Sequence, residues 1–432
     1  MTIIAITRVR KACLYQAVLL LVGVSCLAQT PSITSDALRP HVFTLAKDKF
    51  EGRNGGYSGE RKAADYIASE FRRIGLKPAG TKGYIQEFHF QPYHPTKPWQ
   101  VMTSRNVLGV IEGTDPVKKR EVVVIGAHYD GQGRTGQSDP TRQTPANNTD
   151  DIWNSANDNA ASVAALIEIA RSLKGTAPKR TILFAAFGAE EHGMDGSIYY
   201  VNHPVFALAD HVAMINMEKL GRAPEKPISV IGISSSTAWT EAVATAAKSS
   251  GVKPKQGPLA FPDSDQYPFG ARGIPSVMVY VSSSTDDAHL PSDTYDKVDF
   301  DRVAEAARFV GALLQAIGDR PERPDFVRSP MLDPGIIAHL ITDAEARKMG
   351  LAADQGGLKV TGVIMGTPGA KAGLQEGDLI LEFGHRGFAR KEPLSALMAV
   401  FQNLLQGKLG VSIAIKILRA KKTREVTLDL RP

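Results

Sequence analysis

Cysteine is nearly absent from this chain. Its 432 residues include two, Cys13 and Cys26, and both lie in the first 28 positions. Without that segment the protein can form no disulfide and no cysteine-based structural zinc site. Long blocks of like charge are missing, as are internal repeats and a G-x-S-x-G nucleophile elbow. The one marked apolar run, 12–24, is interrupted by Gln16 and falls short of the ~20 residues that span a bilayer. Arg8, Arg10 and Lys11 precede it, and the small residues Ser25, Cys26 and Ala28 follow. That pattern predicts a secretory signal peptide over 1–28, with no membrane span and a periplasmic or extracellular protein. Lipid anchoring at Cys26 is disfavoured by the poor lipobox Gly23-Val24-Ser25. Three of the 51 basic residues lie in the leader, so the remainder carries 48 basic against 45 acidic residues. Such a mild excess calls for neither nucleic acid nor a membrane surface as partner.

What is present is an ordered alternation. Residues 34–76 read as helical, with Ala63, Ala64, Ile67, Phe71 and Leu76 at helical spacing and Gly75 as the stop. Strands are expected at 84–90, 106–112 and 121–125, the last almost wholly apolar, as a strand buried on both faces is. Residues 131–156 form a long polar loop suited to a lid or rim. Helices at 158–173, 238–250 and 300–317 then alternate with strands at 181–187, 212–217, 228–232 and 274–281. The expected fold is α/β: a three-layer α/β/α arrangement around a mostly parallel twisted sheet. The expected domain spans 29–317. Residues 318–335 contain four prolines and several charges and read as a linker, across which few contacts are expected. A separate unit, 336–432, follows.

Chemistry-bearing residues gather at the predicted strand ends, where open α/β sheets place their ligands. His128 and Asp130 follow one strand, Glu190 and Glu191 another, and Glu218 a third; His289 lies on the loop after a fourth. Asp158 opens a helix between two asparagines. Its ordinary role would be an N-cap, which Ser155 or Asn157 could equally fill. Imidazole with carboxylate is the donor set of catalytic zinc, and an aspartate shared by two half-sites gives a two-metal hydrolase. His128 and Asp130, two apart on extended chain, point to one side, so Asp130 can accept from the ring nitrogen that does not bind metal. Of adjacent Glu190 and Glu191, one can bind metal while the other serves as general base. His192, His203 and His211 have no such partners and read as surface or structural.

These motifs, A-H-Y-D at 127–130, N-D-N at 157–159, A-E-E-H-G at 189–193, Glu218 and H-L-P-S-D-T at 289–294, resemble the co-catalytic two-zinc aminopeptidases of clan MH, peptidase family 28. The resemblance covers about 36–317 and includes Phe50-Glu51-Gly52-Arg53, Ser104-Arg105-Asn106-Val107 and Gly196-Ser197. It implies a zinc exopeptidase fold and two zinc ions per chain. One would be held by His128, Asp158 and Glu218, the other by Asp158, Glu191 and His289. Asp158 would bridge, Glu190 would be the base, and Asp130 and Asp293 would support the ligands. A cis peptide after the bridging aspartate, at Asp158–Asn159, is also implied. Two positions depart from the family pattern. Glu218 stands where aspartate is usual, and Ala288 stands where some members carry an oxyanion-binding tyrosine, a role left to Tyr267 or Tyr280 or to no residue.

The implied activity is hydrolysis of N-terminal residues from peptides with a free N-terminus. Two alternatives exist: a one-zinc, glutaminyl-cyclase-like acyltransferase, for which Glu218 is the support, and a catalytically dead scaffold, against which the full ligand set and Glu190 argue. The C-terminal unit, through Gly366-Thr367-Pro368-Gly369-Ala370 and Gly377-Asp378-Leu379-Ile380, resembles a PDZ domain. That implies a mainly-β fold, strands at 358–364, 378–383, 412–418 and 425–430, and a helix at 393–405. It also implies a peptide or protein ligand added as a strand, its carboxylate-binding turn near Met349-Gly350-Leu351.

Overall fold

The N-terminal helical segment contains two helices. In a computed structural model of the protein, which describes residues 32–90, 100–137, 150–222, 225–257, 264–281, 287–327, 334–341, 343–384, 386–388 and 412–429, α1 (Ser35–Leu45) begins on Thr34. The Thr34 hydroxyl accepts from the Ala37 N–H. α2 (Ser58–Ile74) buries Ala63, Ala64, Ile67 and Phe71 and stops where Gly75 turns left-handed at φ 83°. Between them Glu51, Gly52 and Arg53 all have positive φ, which no right-handed helix can accommodate. Leu76 falls outside the helix but still packs into the same core.

The chain continues through β1 (Lys77–Pro78), β2 (Ile85–Phe90), β3 (Met102–Ile111), β4 (Val122–His128), β5 (Gly133–Arg134) and β6 (Ile152–Trp153). Then come α3 (Ala161–Leu173), β7 (Thr181–Phe187), α4 (Asp195–Asn202), β8 (His211–Glu218), β9 (Ser229–Ile231), α5 (Ala238–Ser250), β10 (Lys255–Gly257), α6 (Gln266–Ala271), β11 (Ser276–Tyr280) and α7 (Phe300–Gly318). The large sheet has nine strands in the order β1-β3-β7-β4-β8-β11-β9-β10, with β2 also on β3. Its centre, β7-β4-β8-β11, is parallel, while β3 and β9 join antiparallel. β4, β7 and β8 are buried at every position, because helices cover both faces. Val123, Ile125 and Ala127 share a core with α1, α2, α3, α5 and α7. Val122 and Val124 point the other way, toward Ile198 and Val201 of α4 and Phe269 of α6. The result is the three-layer, mostly parallel arrangement expected. α4 and α6 were not anticipated; both are short, and α4 starts on glycine-rich sequence.

Past α7 the chain does not run free. Arg180 donates to the carbonyls of Gly318, Arg320 and Glu322 at 3.2, 2.6 and 3.1 Å. The Val327 N–H donates to the Ser235 carbonyl at 2.9 Å, and Ser236 Oγ to Asp325 at 2.7 Å. Residues 319–327 of the expected linker therefore lie along the α/β domain.

The C-terminal unit comprises β12 (Ile336–Leu340), α8 (Asp343–Lys348), β13 (Leu358–Val363), α9 (Pro368–Lys371), β14 (Leu379–Phe383), β15 (Arg386–Gly387), β16 (Ser412–Arg419) and β17 (Lys422–Asp429). Its sheet is antiparallel, in the order β12-β13-β14-β16-β17 with β15 on β14. Val360, Ile380, Ile415, Ile417 and Leu428 form its core. The helix expected at 393–405 and the leader lie outside the described residues. Some contacts do cross between the two units. Ile364 is fully buried in the cluster that contains Met194, Ile198, Val201 and Phe269. Asn202 Nδ2 donates to the Val363 carbonyl at 3.3 Å and Asn202 Oδ1 accepts from the Met365 N–H at 2.9 Å.

Candidate metal centre

Parallel strands bring their carboxyl ends to one edge of the sheet, and the site lies there. β4 ends on His128 and β8 on Glu218; β7 is followed by the Glu190-Glu191 turn. Asp158 sits in an irregular turn before α3, preceded by left-handed Ser155 and followed by a cis Asp158–Asn159 peptide. His289, at φ 60°, is on the loop after β11.

The donor atoms form two trios. His128 Nε2 stands 3.3 Å from Asp158 Oδ1 and 3.3 Å from Glu218 Oε1. His289 Nε2 stands 3.2 Å from Asp158 Oδ2 and 3.1 Å from Glu191 Oε2. Asp158 thus gives one oxygen to each trio. Ligands about 2.0–2.1 Å from a tetrahedral zinc are roughly 3.3 Å from one another, so both trios fit that ion. The longer arm of Glu218 reaches its place because its other oxygen is tied back. Ser264 Oγ donates to Oε2 at 2.9 Å and Asn159 Nδ2 at 3.3 Å. Glu190 belongs to neither trio; its Oε2 is 3.8 Å from His128 Nε2.

A second layer holds these groups in place. Asp130 Oδ1 lies 3.4 Å from His128 Nδ1. The Asp130 carboxylate also accepts from the Glu190 and Glu191 N–H groups at 3.0 and 3.1 Å. It therefore joins the end of β4 to the turn after β7, a second task the sequence did not reveal. Asp293 accepts from the Asn157 and Asp158 N–H groups, each at 3.0 Å. No side chain caps α3, so the N-cap role does not apply. The two asparagines instead reach β8: Asn157 Oδ1 accepts from Gly221 N–H at 2.7 Å and Asn159 Oδ1 from Lys219 N–H at 3.0 Å. Arg53 is fully buried and donates to the carbonyls of Tyr129, Leu45, Asn154 and Ser155 at 2.7–2.8 Å. Its guanidinium pins the H-x-D strand end to the segment leading into Asp158. Sequence alone suggested no role for Ser264, Lys219 or Arg222. Arg53 stood out only through resemblance.

His192, His203 and His211 stay apart from both trios. His211 Nε2 is 2.7 Å from the Tyr200 hydroxyl, His192 Nε2 is 3.1 Å from Asn54 Oδ1, and His203 stacks on Tyr199. Electrostatics set the trios off from ordinary surface acids. Burial would depress the His128 imidazole, but Glu218 and Glu190 beside it hold it well above its usual range. The Glu191 carboxylate raises His289 to about 11. Burial would raise Glu191, yet His289 brings it down to about 2. Glu190 goes the other way: burial, with Glu218 and Asp265 nearby, pushes it well up despite His128. Burial likewise lifts Asp265, which accepts from Ser197 Oγ at 2.5 Å, to about 7.

Residues 106–314 match the description Peptidase family M28. Aminopeptidase YwaD of Bacillus subtilis (strain 168) is 26% identical over 275 residues, 60% of this chain and 55% of that protein. A probable zinc metalloprotease of Leptosphaeria maculans is 29% identical over 169 residues, 39% of this chain and 36% of that one. The chain spans about half the length, or less, of these curated relatives. Among solved structures, the zinc aminopeptidase BSAP of Bacillus subtilis aligns with a TM-score of 0.54 at 18% identity, covering 69% of this chain and 98% of that one. A glutaminyl cyclase of Bacteroides thetaiotaomicron aligns at 0.53 and 18%, covering 66% and 98%. At such identities the likeness is one of fold. The match to Peptidase family M28 thus covers 106–314, just under half of the chain, and the similar proteins include an aminopeptidase and a probable zinc metalloprotease.

Proposed function

We propose that the protein is an exported aminopeptidase that removes N-terminal residues from peptides, with His128, Asp158 and Glu218 holding one zinc and Asp158, Glu191 and His289 the other. The observation that carries this reading is the pair of donor trios sharing Asp158, with Glu190 beside them but outside both. When bound, the two ions supply a lowered pKa for the attacking water and polarise the scissile carbonyl. The chain's own groups do the rest. Glu190 takes a proton from the water that attacks the peptide carbonyl and passes it to the departing amine. Burial raises its affinity for a proton, which favours the first of these transfers. Asp130, through the Glu190 and Glu191 N–H groups, holds the base and a ligand in one register. The reach of Glu218 Oε1 to 3.3 Å from His128 Nε2 supports two metals over the one-metal, cyclase-like alternative. The leader-like pattern at 1–28 supports export, and the C-terminal antiparallel sheet is read as a PDZ-like module for a peptide or protein ligand.

The test is Glu190→Gln. Turnover of an aminoacyl anilide should fall by roughly 10²–10⁴-fold, the usual worth of a general base, while bound zinc stays at the wild-type level. Zinc lost together with activity would make Glu190 a ligand and overturn the assignment.

A further inference from the structure

The exit of β8 carries a cation up to donor oxygens of both trios. Lys219 directly follows Glu218. Its Nζ stands 3.5 Å from Glu218 Oε1 and 3.8 Å from Asp158 Oδ2, and both oxygens belong to the donor trios. The Lys219 backbone is left-handed at φ 48°, a conformation unfavourable for any residue with a β-carbon and found mostly where surrounding structure enforces it. The enforcement is visible. Asn159 Oδ1 accepts from the Lys219 N–H and Asn157 Oδ1 from the Gly221 N–H. The two amides that flank Asp158 thus fix the direction in which this side chain leaves the strand.

The Lys219 side chain is also more open to solvent than the donors it faces, 29% exposed against 6% for Glu218 and 3% for Asp158. Nearby Arg222 is paired with Asp287 and Asp293, and Lys297 with Asp287; Lys219 pairs with the trio carboxylates. A carbonyl attacked with Glu190 as base must lie beside the trios, so the groups attached to that carbonyl pass close to Lys219 Nζ. A neutral group gains little there. A carboxylate gains a charge-assisted hydrogen bond in a partly desolvated cleft.

We infer that Lys219 is a specificity-determining residue that selects substrates bearing a carboxylate next to the scissile bond. The inference rests on the aminopeptidase reading above. The carboxylate has two sources: the side chain of an N-terminal glutamate or aspartate, or the terminal carboxylate of a dipeptide.

The experiment compares kcat/KM of the zinc-loaded full-length protein for glutamyl and leucyl anilides, and for leucyl-glycine and its amide. Calorimetry of free glutamate and free leucine gives a readout independent of turnover. In at least one arm the acidic member should be preferred tenfold or more, and where it is the first arm, glutamate should bind tighter than leucine. Lys219→Met should cut the preference by about 10–100-fold, the worth of a charge-assisted hydrogen bond, and Lys219→Arg should keep it. Lys219→Gln repeats the measurement if the methionine variant does not fold. Ratios near one in both arms overturn the inference while leaving the aminopeptidase reading intact. An equal fall for acidic and neutral substrates on Lys219→Met also overturns it, and moves Lys219 to the oxyanion. A protein that holds two zinc ions and cleaves none of the four substrates defeats the aminopeptidase reading itself, and this inference with it.

Discussion

Replacing Ile364 by alanine tests whether the two units of the chain are energetically one. The Ile364 side chain is fully buried and lies in the cluster of Met194, Ile198, Val201, Tyr200 and Phe269, all on the α/β domain. The Asn202 amide bonds to the backbone on either side of it, at Val363 and Met365. Truncation removes three methyl or methylene groups from a site whose walls belong to two rigid elements, α4 and the β13 exit. Ile→Ala in such a setting costs about 2–5 kcal/mol, and the lower half of that range applies because the sheet can settle slightly toward α4. The tryptophans Trp99, Trp153 and Trp239 all belong to the α/β domain by sequence. Urea unfolding followed by tryptophan fluorescence therefore reports that domain alone. A loss of roughly 2–3 kcal/mol in its unfolding free energy would show that the C-terminal unit stabilises it. An unchanged midpoint would refute the reasoning and restore the picture of an appended module. The consequence is functional, because α4 begins at Asp195, just past the Glu190–His192 turn. A chain ending near Arg320 should lose stability by exposing Ile198 and Val201.

Other expectations follow from particular contacts. Glu218→Ala should lower zinc from two per chain toward one, read by metal analysis; unchanged stoichiometry would favour the one-metal, cyclase-like alternative. Arg53→Met should weaken zinc binding by roughly 10–100-fold, as loss of ligand-supporting bonds does, with Arg53→Lys intermediate because ammonium cannot serve four carbonyls; competition with a chelator would measure both. His211 is held neutral by burial down to a pKa of about 4. Its depressed pKa means the unfolded chain binds a proton that the folded chain does not between pH 6.5 and 4. Stability should thus be intact above pH 6.5 and fall by up to about 3 kcal/mol by pH 4, and His211→Gln should flatten that slope. Chelation of zinc should lower the thermal midpoint, and added zinc should restore it, since a ligand of the folded state alone stabilises that state.

The proposed ligands His128, Glu191 and Glu218 were legible because each ends or closely follows a buried parallel strand, and such strands announce themselves as apolar runs. β4, β7 and β8 could be located within a few residues, and with them His128, Glu190, Glu191 and Glu218. The supporting layer was legible only in part: Asp130 and Asp293 stood out, but not the backbone groups they hold, for a physical reason. Asp130 to Glu190, Asp293 to Asn157 and Arg53 to Tyr129 are contacts across 60 to 136 positions, made by side chain to backbone. Backbone groups carry no residue identity, so no pattern in sequence marks their partners. The interdomain contact escaped for a related reason. Ile364 reads as the end of a strand in its own sheet, and only packing shows that it faces α4.

Charge explains why this site needs so much support. Asp130, Asp158, Glu190, Glu191, Glu218, Asp265 and Asp293 are gathered around the trios, and Arg53, Lys219 and Arg222 are the fixed cations beside them. Counted as fully ionised, the acids outnumber those cations by four. Water cannot offset the difference where the side chains are this deeply buried, and like charges at these distances repel strongly. Protonated His128 and His289 cover half of it. Two divalent ions cover all of it and also free both imidazoles to act as neutral donors. With metal at the trios as proposed, binding at one would ease the acid excess that the other must bear, and Asp158, common to both, would couple the two occupancies. Asp158→Asn keeps the shape but makes one of the two shared oxygens a poor donor. It should reduce zinc at both trios together, whereas Glu218→Ala should empty chiefly one. Equal stoichiometry in the two variants would mean that the trios fill independently and that Asp158 does not bridge.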